Sequence, residues 1–385
     1  MSVDKNVPEI RFKEFSGEWE EVNLSSVVDV RSGKDYKHLG KGCIPVYGTG
    51  GYMLSVNDAL SYDEDAIGVG RKGTIDKPYL LYAPFWTVDT LFHAVPYPSF
   101  SLNFSYCLFQ KINWKKHDES TGVPSLSKVA INNISVFVIQ DDEQIKIGNY
   151  FQKLDALINQ HQQKHDKLSS IKKAMLKKMF PKQGETIPEI RFKGFSEDWE
   201  EKELGTDVAE IIGGGTPSTS IPEFWDGDID WYSPTEIGRN VYAESSQKKI
   251  TALGLKSSSA KILPAGNTVL FTSRAGIGDM AILTKQGATN QGFQSFVVKE
   301  GFSPYFIYTA GKLIKEFALK HASGSTFLEI SGKQLGRMKI LMPNREEQTQ
   351  ISNYFQKLDT LISKHKHQIT KLNNIKQACL SKMFI

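Results

Sequence analysis

Polar and basic side chains gather in glycine-rich loops in two separate stretches of this 385-residue chain. Arginine and lysine donate to guanine edges and phosphates, asparagine and glutamine pair with adenine edges, and hydroxyl groups bind phosphate oxygens. In the later stretch the candidates for contact with DNA are Arg274, Ser273, Thr289, Asn290 and Gln291, followed by Thr216, Ser218 and Arg239. In the earlier stretch they are Arg71 and Lys72, followed by Lys34 and Lys37. A sugar-binding or protein-binding set of loops would have a similar composition.

Motifs that would supply catalysis are missing from the sequence. GGGTPST at Gly213–Thr219 lacks the GK[ST] ending of a phosphate-binding P-loop. GxSxG, HExxH and the zinc-deaminase signature do not occur. Neither does the Pro-Pro pair of an N6-adenine methyltransferase motif. Acidic groups at Asp63–Asp65 and Asp226–Asp230 are not followed by a nuclease ExK. We therefore predict that the chain is not an enzyme.

A metal site is not expected either. The three cysteines lie far apart and form no CxxC pair, so a disulfide framework or zinc ribbon is disfavoured. His161 and His165 have the i, i+4 spacing of a zinc pair, but Ile369 replaces the second histidine in a repeated copy of this segment.

The overall composition is that of an ordinary globular chain with a mildly basic surface. The net charge of +4 and the pI near 8.6 permit nucleic-acid binding without requiring it. No apolar run approaches the roughly 18 residues that span a bilayer, and the first residues contain no apolar signal-peptide core. We predict a cytoplasmic protein with no membrane partner.

The chain is an internal duplication. NYFQKLD occurs at Asn149–Asp155 and again at Asn353–Asp359. VPEIRFKEFSGEWEE at Val7–Glu21 recurs as IPEIRFKGFSEDWEE at Ile187–Glu201. The predicted domains are residues 1–141, a long helix over 142–181, a second domain over 182–344 and a second long helix over 345–385.

The repeated tails are predicted to be long helices with a heptad seam, because apolar residues step by three and four without an internal proline. The seam consists of Phe151, Leu154, Ile158, His161, Leu168 and Met175 in the first helix, and of Phe355, Leu358, Ile362, His365, Ile369 and Leu372 in the second. It is interrupted by two lysines at core positions, Lys172 and Lys376. A flanking row of Leu157, Ile171, Leu361 and Ile375 is expected to widen the stripe. We expect the helices to pack antiparallel and to act as a spacer of roughly 50 Å.

The two middle segments are predicted to be α+β domains with many long loops, because short β-branched runs alternate with glycine, proline and asparagine. They differ far more than the tails. Weak sequence similarity aligns GRKGTI (Gly70–Ile75) with SRAGIG (Ser273–Gly278), and TVDTLF with TNQGFQ. A shared scaffold that carries two recognition surfaces explains this asymmetry, and neutral drift of surface loops is the alternative.

These features together resemble the specificity (S) subunit of type I restriction–modification enzymes. The resemblance rests on the duplicated PEIRF…W, on GGTPS…W.G.I.W at Gly214–Trp231, on SRAGIG and NQGFQ, and on the YFQKLD tails that end in KMF. It covers nearly the whole chain. The first middle segment departs from it, because no GGTPS or W.G.I.W match is visible there.

The resemblance implies that each middle domain is a target recognition domain that reads one half of a bipartite, asymmetric site in double-stranded DNA. It implies that the helices dock two methyltransferase subunits and, through them, restriction subunits. S-adenosylmethionine, ATP and Mg²⁺ would belong to those partners, with no cofactor bound by this chain. Two alternatives stay open: a stand-alone tandem ligand-binding module dimerised by its helices, and a self-sufficient nuclease or methyltransferase.

Overall fold

The computed structural model describes residues 6–274, 276–324 and 328–385, which form two α+β units in tandem. Unit 1 comprises the chain up to Gln163 together with Lys366–Ile385, and unit 2 comprises Lys164–His365. Two helices of 38 residues each begin in one unit and end in the other. The predicted tandem α+β class is confirmed.

Unit 1 contains three sheets, with strand orders β2-β8-β5-β6, β4-β3-β7 and β1-β9. Its strands are β1 (Glu20–Asn23), β2 (Val28–Ser32), β3 (Lys41–Gly48), β4 (Gly51–Val56), β5 (Ala66–Gly70), β6 (Tyr79–Leu81), β7 (Trp86–Thr87), β8 (Leu91–Pro96) and β9 (Ser135–Val138). Its helices are α1 (Leu102–Lys111), α2 (Lys128–Asn132) and the first part of α3 (Asp141–Lys178).

Unit 2 repeats this plan with strand orders β11-β18-β15-β16-β13, β14-β12-β17 and β10-β19. Its strands are β10 (Glu200–Glu203), β11 (Ala209–Gly213), β12 (Trp225–Tyr232), β13 (Tyr242–Ala243), β14 (Lys248–Ile250), β15 (Thr268–Phe271), β16 (Met280–Leu283), β17 (Gly287–Thr289), β18 (Gln294–Val298) and β19 (Lys339–Met342). Its helices are α4 (Ala252–Lys256), α5 (Pro304–Thr309), α6 (Gly311–His321), α7 (Gly332–Gly336) and α8 (Arg345–Lys382), whose last turns lie in unit 1.

The connection between the paired strands of the smaller sheet is the main difference between the units. β3 and β4 are joined by Thr49 and Gly50, whereas residues 233–247 separate β12 from β14. This longer segment contributes β13 to the larger sheet of unit 2. The central strands β5 and β15 are buried at every position, which explains their continuous apolar character in the sequence.

The predicted seam residues face the packed side of the long helices. Phe151, Leu154, Phe355 and Leu358 are buried, and the other eight are half-buried. Ile171 and Ile375 of the flanking row pack against the cores. Leu157 and Leu361 are 44% and 43% exposed, so the expectation that they widen the stripe is wrong.

Cross-helix ion pairs lie at the polar seam positions within each unit. Lys376 Nζ is 2.6 Å from Asp155 Oδ1 in unit 1, and Lys172 Nζ is 2.5 Å from Asp359 Oδ1 in unit 2. Both aspartates end the repeated NYFQKLD motif. In unit 1, Tyr150 also contacts Cys379, so the partner's number falls as the residue number rises and the two segments run antiparallel.

A buried ion pair joins each PEIRF motif to the first turn of a long helix. Arg11 donates to both carboxylate oxygens of Glu143 at 2.8 and 2.7 Å, and Arg191 donates in the same way to Glu347 at 2.7 Å. The two glutamate side chains are 1% and 0% exposed. This geometry is the strong, bidentate form of a charge-assisted hydrogen bond.

The following glutamine completes this attachment in both units. The Gln144 amide accepts from Ser101 N and donates to the carbonyl of Ile139, and the Gln348 amide does the same with Ser303 N and Pro343. The repeated motifs are therefore a clamp, which we call the Arg–Glu clamp, between each domain and its helix.

We predict that Arg11→Ala lowers the free energy of unfolding of unit 1 by about 3–5 kcal/mol, because it leaves the carboxylate of Glu143 buried and unpaired. The matched control is Arg31→Ala. Arg31 also pairs with acidic groups, Asp29 and Glu64, but its side chain is 36% exposed. This control should cost about 0–1 kcal/mol. Urea unfolding followed by fluorescence measures both, and equal losses would contradict the clamp.

Candidate nucleic-acid interface

The loops that carry the candidate residues have the same backbone frame in both units. Tyr47 on β3 lies opposite Thr87 on β7, and Tyr232 on β12 lies opposite Thr289 on β17, in parallel pairs. The predicted correspondence of TVDTLF with TNQGFQ therefore agrees with the strand pairing.

In each unit a glycine lies close to the backbone carbonyls of this threonine and of the residue after it. A Cβ on Gly33 would lie 2.0 Å from the carbonyl oxygen of Val88, and a Cβ on Gly214 would lie 2.1 Å from that of Asn290. The next backbone amide, of Lys34 or Gly215, donates to the threonine carbonyl at 2.9 Å. Ser32-Gly33-Lys34 is thus the counterpart of Gly213-Gly214-Gly215.

A second glycine marks the start of the smaller sheet in both units. A Cβ on Gly42 would meet the carbonyl oxygen of Val56 at 2.3 Å, and one on Gly227 would meet that of Ile250 at 2.6 Å. Each glycine lies in a strand irregularity two residues before an isoleucine, Ile44 or Ile229. The first middle segment therefore has backbone counterparts of GGTPS and W.G.I.W, although their sequences are not retained. Sequence comparison missed them because only glycine and isoleucine are retained.

The predicted alignment of GRKGTI with SRAGIG is wrong by one residue. Leu126 N donates to the carbonyl of Arg71, and Ile330 N donates in the same way to the carbonyl of Ser273. The backbone of Lys72 forms an isolated antiparallel β-bridge with Ser125, and the backbone of Arg274 forms the same kind of bridge with Glu329. By backbone register, Lys72 of unit 1 is therefore the counterpart of Arg274 in unit 2, and Arg71 is the counterpart of Ser273. The sequences align one residue out of register because both loops contain an arginine close to a glycine, and this similarity does not follow the backbone.

The candidates of unit 2 differ in how far their side chains reach the surface. Ser273 and Thr289 are 0% and 1% exposed, so their side chains belong to the frame of the loops. Asn290 and Arg274 are half-buried, and Thr216, Ser218, Arg239 and Gln291 are exposed. In unit 1, Lys34, Lys37, Arg71 and Lys72 are all exposed.

Hydrogen bonds orient several of these exposed groups. Thr216 Oγ1 donates to Gln291 Oε1, which joins the glycine-rich loop to the loop after β17. Asn290 Oδ1 accepts from Gly292 N at 2.8 Å, which leaves the amide nitrogen to donate elsewhere. Arg274 lies 3.8 Å from Glu329, a distance too long for a direct hydrogen bond. The loop after β17 and the loop that carries Arg274 thus present donors suited to base edges or phosphates.

A neutral histidine supports the frame in unit 1. His93 on β8 is 3% exposed, and its Nδ1 lies 3.0 Å from Thr87 Oγ1. Burial lowers the pKa of His93 to about 4, so the imidazole is uncharged at neutral pH. This group is therefore a structural partner of Thr87 rather than a basic contact for DNA.

Within the described part of the chain, no three or more histidine, cysteine, aspartate or glutamate side chains lie together so that they could hold a metal ion. None of its helices is both long enough and apolar enough to cross a membrane.

Comparisons with known proteins agree with the duplicated architecture. The family model described as "Type I restriction modification DNA specificity domain" matches residues 16–170 and 196–374. The MjaIX specificity subunit of Methanocaldococcus jannaschii is 36% identical over 192 residues, which are 49% of this chain and 44% of that protein. The EcoR124I/EcoR124II specificity subunit of Escherichia coli is 35% identical over 181 residues, which are 45% of this chain and 43% of that protein.

Solved structures support the fold over almost the full length. The S subunit of a type I system from M. genitalium superposes with a TM-score of 0.67 at 14% identity, covering 98% of this chain and 99% of that chain. A chain from a structure of a type I restriction–modification system superposes with a TM-score of 0.52 at 16% identity, covering 95% and 97%. The matched segments span less than half the length of the two curated relatives. With the family model matching both halves, the chain belongs to the type I restriction–modification DNA specificity family.

Proposed function

We propose that this chain is the DNA-recognition subunit of a type I restriction–modification complex and that it performs no catalysis itself. The observation that carries the proposal is one backbone frame whose equivalent positions carry different residues in the two units. Lys72 in unit 1 and Arg274 in unit 2 occupy equivalent positions, as do Lys34 and Gly215. Each unit would therefore read a different half of a bipartite, asymmetric site in double-stranded DNA.

We further propose that the long helices dock two methyltransferase subunits, which would recruit restriction subunits in the full complex. Leu157 in unit 1 and Leu361 in unit 2 occupy the same position of the repeat, and both are exposed. Because the repeat places the same residues at equivalent positions of both helices, it offers equivalent surfaces to two copies of one partner. S-adenosylmethionine, ATP and Mg²⁺ would be bound by those partners.

The direct test compares adenine methylation across the genome with and without the gene for this chain. Loss of methylation at one split motif, together with co-purification of a methyltransferase, is the expected result. Unchanged methylation and no co-purifying methyltransferase would overturn the proposal and favour a stand-alone tandem binding module.

Equivalent substitutions in the two units should have separate effects. Arg274→Ala should weaken discrimination at one half-site by about 1–3 kcal/mol and leave the other half intact, and Lys72→Ala should do the reverse. The two variants are controls for each other. Competition binding with DNA mutated in one half at a time measures the effect. Uniform weakening with a smaller salt dependence would instead identify phosphate contacts.

Helix length should set the gap between the half-sites. Seven residues inserted after both Gln163 and His365 preserve the heptad phase and lie at the division between the units. The insertion adds about 10 Å to each helix, so the tolerated gap should grow by about three base pairs. Methylation of targets with graded spacers measures this change, and an unchanged gap would rule out the spacer role.

A further inference from the structure

A cavity of about 450 Å³ opens between the sheets and the long helices of unit 1. Its volume lies in the range of roughly 300–1,000 Å³ that holds small ligands. The lining combines aromatic rings with amides and one ion pair, and it includes Asn103, Gly148 and Ala156.

The duplication reveals why this space is open. Gln144 binds the backbone of Ser101 as Gln348 binds that of Ser303. Three positions later, Phe104 packs against Trp19 and Phe306 packs against Trp199. Asn103 therefore corresponds to Tyr305. Along the helices, Gly148 corresponds to Ser352 and Ala156 to Thr360. Unit 1 has the smaller side chain at all three positions.

Phenol groups occupy the corresponding region of unit 2. Tyr305 donates from its hydroxyl to Asp359 Oδ2 at 2.7 Å. The hydroxyl of Tyr242 accepts from Gln356 Nε2 at 2.7 Å, and the two rings lie 6.3 Å apart. Burial and the hydrogen bond to Asp359 raise the pKa of Tyr305, so its hydroxyl remains a donor.

Unit 1 keeps the polar partners of these phenols. Asp155 corresponds to Asp359 and Gln152 to Gln356, and both line the cavity. Tyr242 belongs to the 233–247 segment, and the two-residue connection between β3 and β4 has no room for a counterpart. The cavity thus presents the acceptor and the amide that serve two tyrosines in the other unit.

We propose that this cavity is a binding site for a phenolic ring, which donates its hydroxyl to Asp155. The charge of Asp155 is already compensated by Lys376, whose side chain is 12% exposed. A neutral donor therefore fits better than a second cation. Tyr82 and Tyr106 are the aromatic residues of the lining nearest in kind to the proposed ring. The Cys107 thiol takes no chemical part, because burial raises its pKa and keeps it protonated.

The site is tested with p-cresol, the side chain of tyrosine as a free molecule, titrated into the full-length chain. Ligand-observed NMR should detect a Kd on the order of a millimolar. 4-Methylanisole, which keeps the ring but lacks the hydroxyl donor, should bind at least about tenfold more weakly. Absence of p-cresol binding, or equal binding of both compounds, overturns the proposal.

The matched variants locate the site. Asn103→Tyr restores the residue of the second copy and should abolish p-cresol binding, whereas Gln160→Tyr adds the same ring at an exposed position of α3 outside the cavity and should not. Ala156→Gln, which fills the cavity from the helix, provides a second test if Asn103→Tyr does not fold. Retained binding in the folded filling variants would contradict the assignment.

A second arm identifies the source of the ring and alone depends on the proposed function. If the ring is a tyrosine of a docked methyltransferase subunit, Asn103→Tyr and excess p-cresol should both weaken assembly with that subunit. If it is a free phenol, assembly is unchanged while p-cresol binding is still lost. Either result supports the site. A failure of the proposed DNA recognition would change neither the p-cresol titration nor the comparison of the variants.

Discussion

The buried ion pair between Arg11 and Glu143, copied as Arg191 and Glu347, is the constraint on which both units depend. Each glutamate is almost completely removed from water, so its charge is tolerable only while the bidentate arginine is in place. The pair joins the segment before the first sheet to the first turn of a long helix. The pair thereby attaches that segment to the helix in both units.

A second set of charges makes the two halves of the chain interdependent. Helix α3 supplies Asp155 to unit 1 and Lys172 to unit 2, and α8 supplies Asp359 to unit 2 and Lys376 to unit 1. Each helix thus contributes one partner to each pair. Loss of either residue would leave a charge unpaired in a poorly solvated seam. This reciprocity gives a physical reason why the tails resemble each other more closely than the middle segments do.

The middle segments obey a looser constraint. Gly33 and Gly214 are required where a backbone carbonyl leaves no room for a Cβ, while the side chains around them differ between the units. The same freedom allowed Asn103 to stand where the other copy has Tyr305, beside the cavity of unit 1. Divergence is therefore concentrated where neither backbone packing nor a buried charge opposes it.

Residue identity, heptad spacing and turn residues are local signals, and they suffice to predict the duplication, the two long helices, the α+β class and the loops that carry the candidate contacts. The folded structure is needed to show that Ser273 and Thr289 are buried, and that Lys72 rather than Arg71 is the counterpart of Arg274. It also supplied the aspartate partners of the seam lysines. Burial, strand register and ion pairing depend on residues distant in the chain, and no short stretch of sequence encodes them.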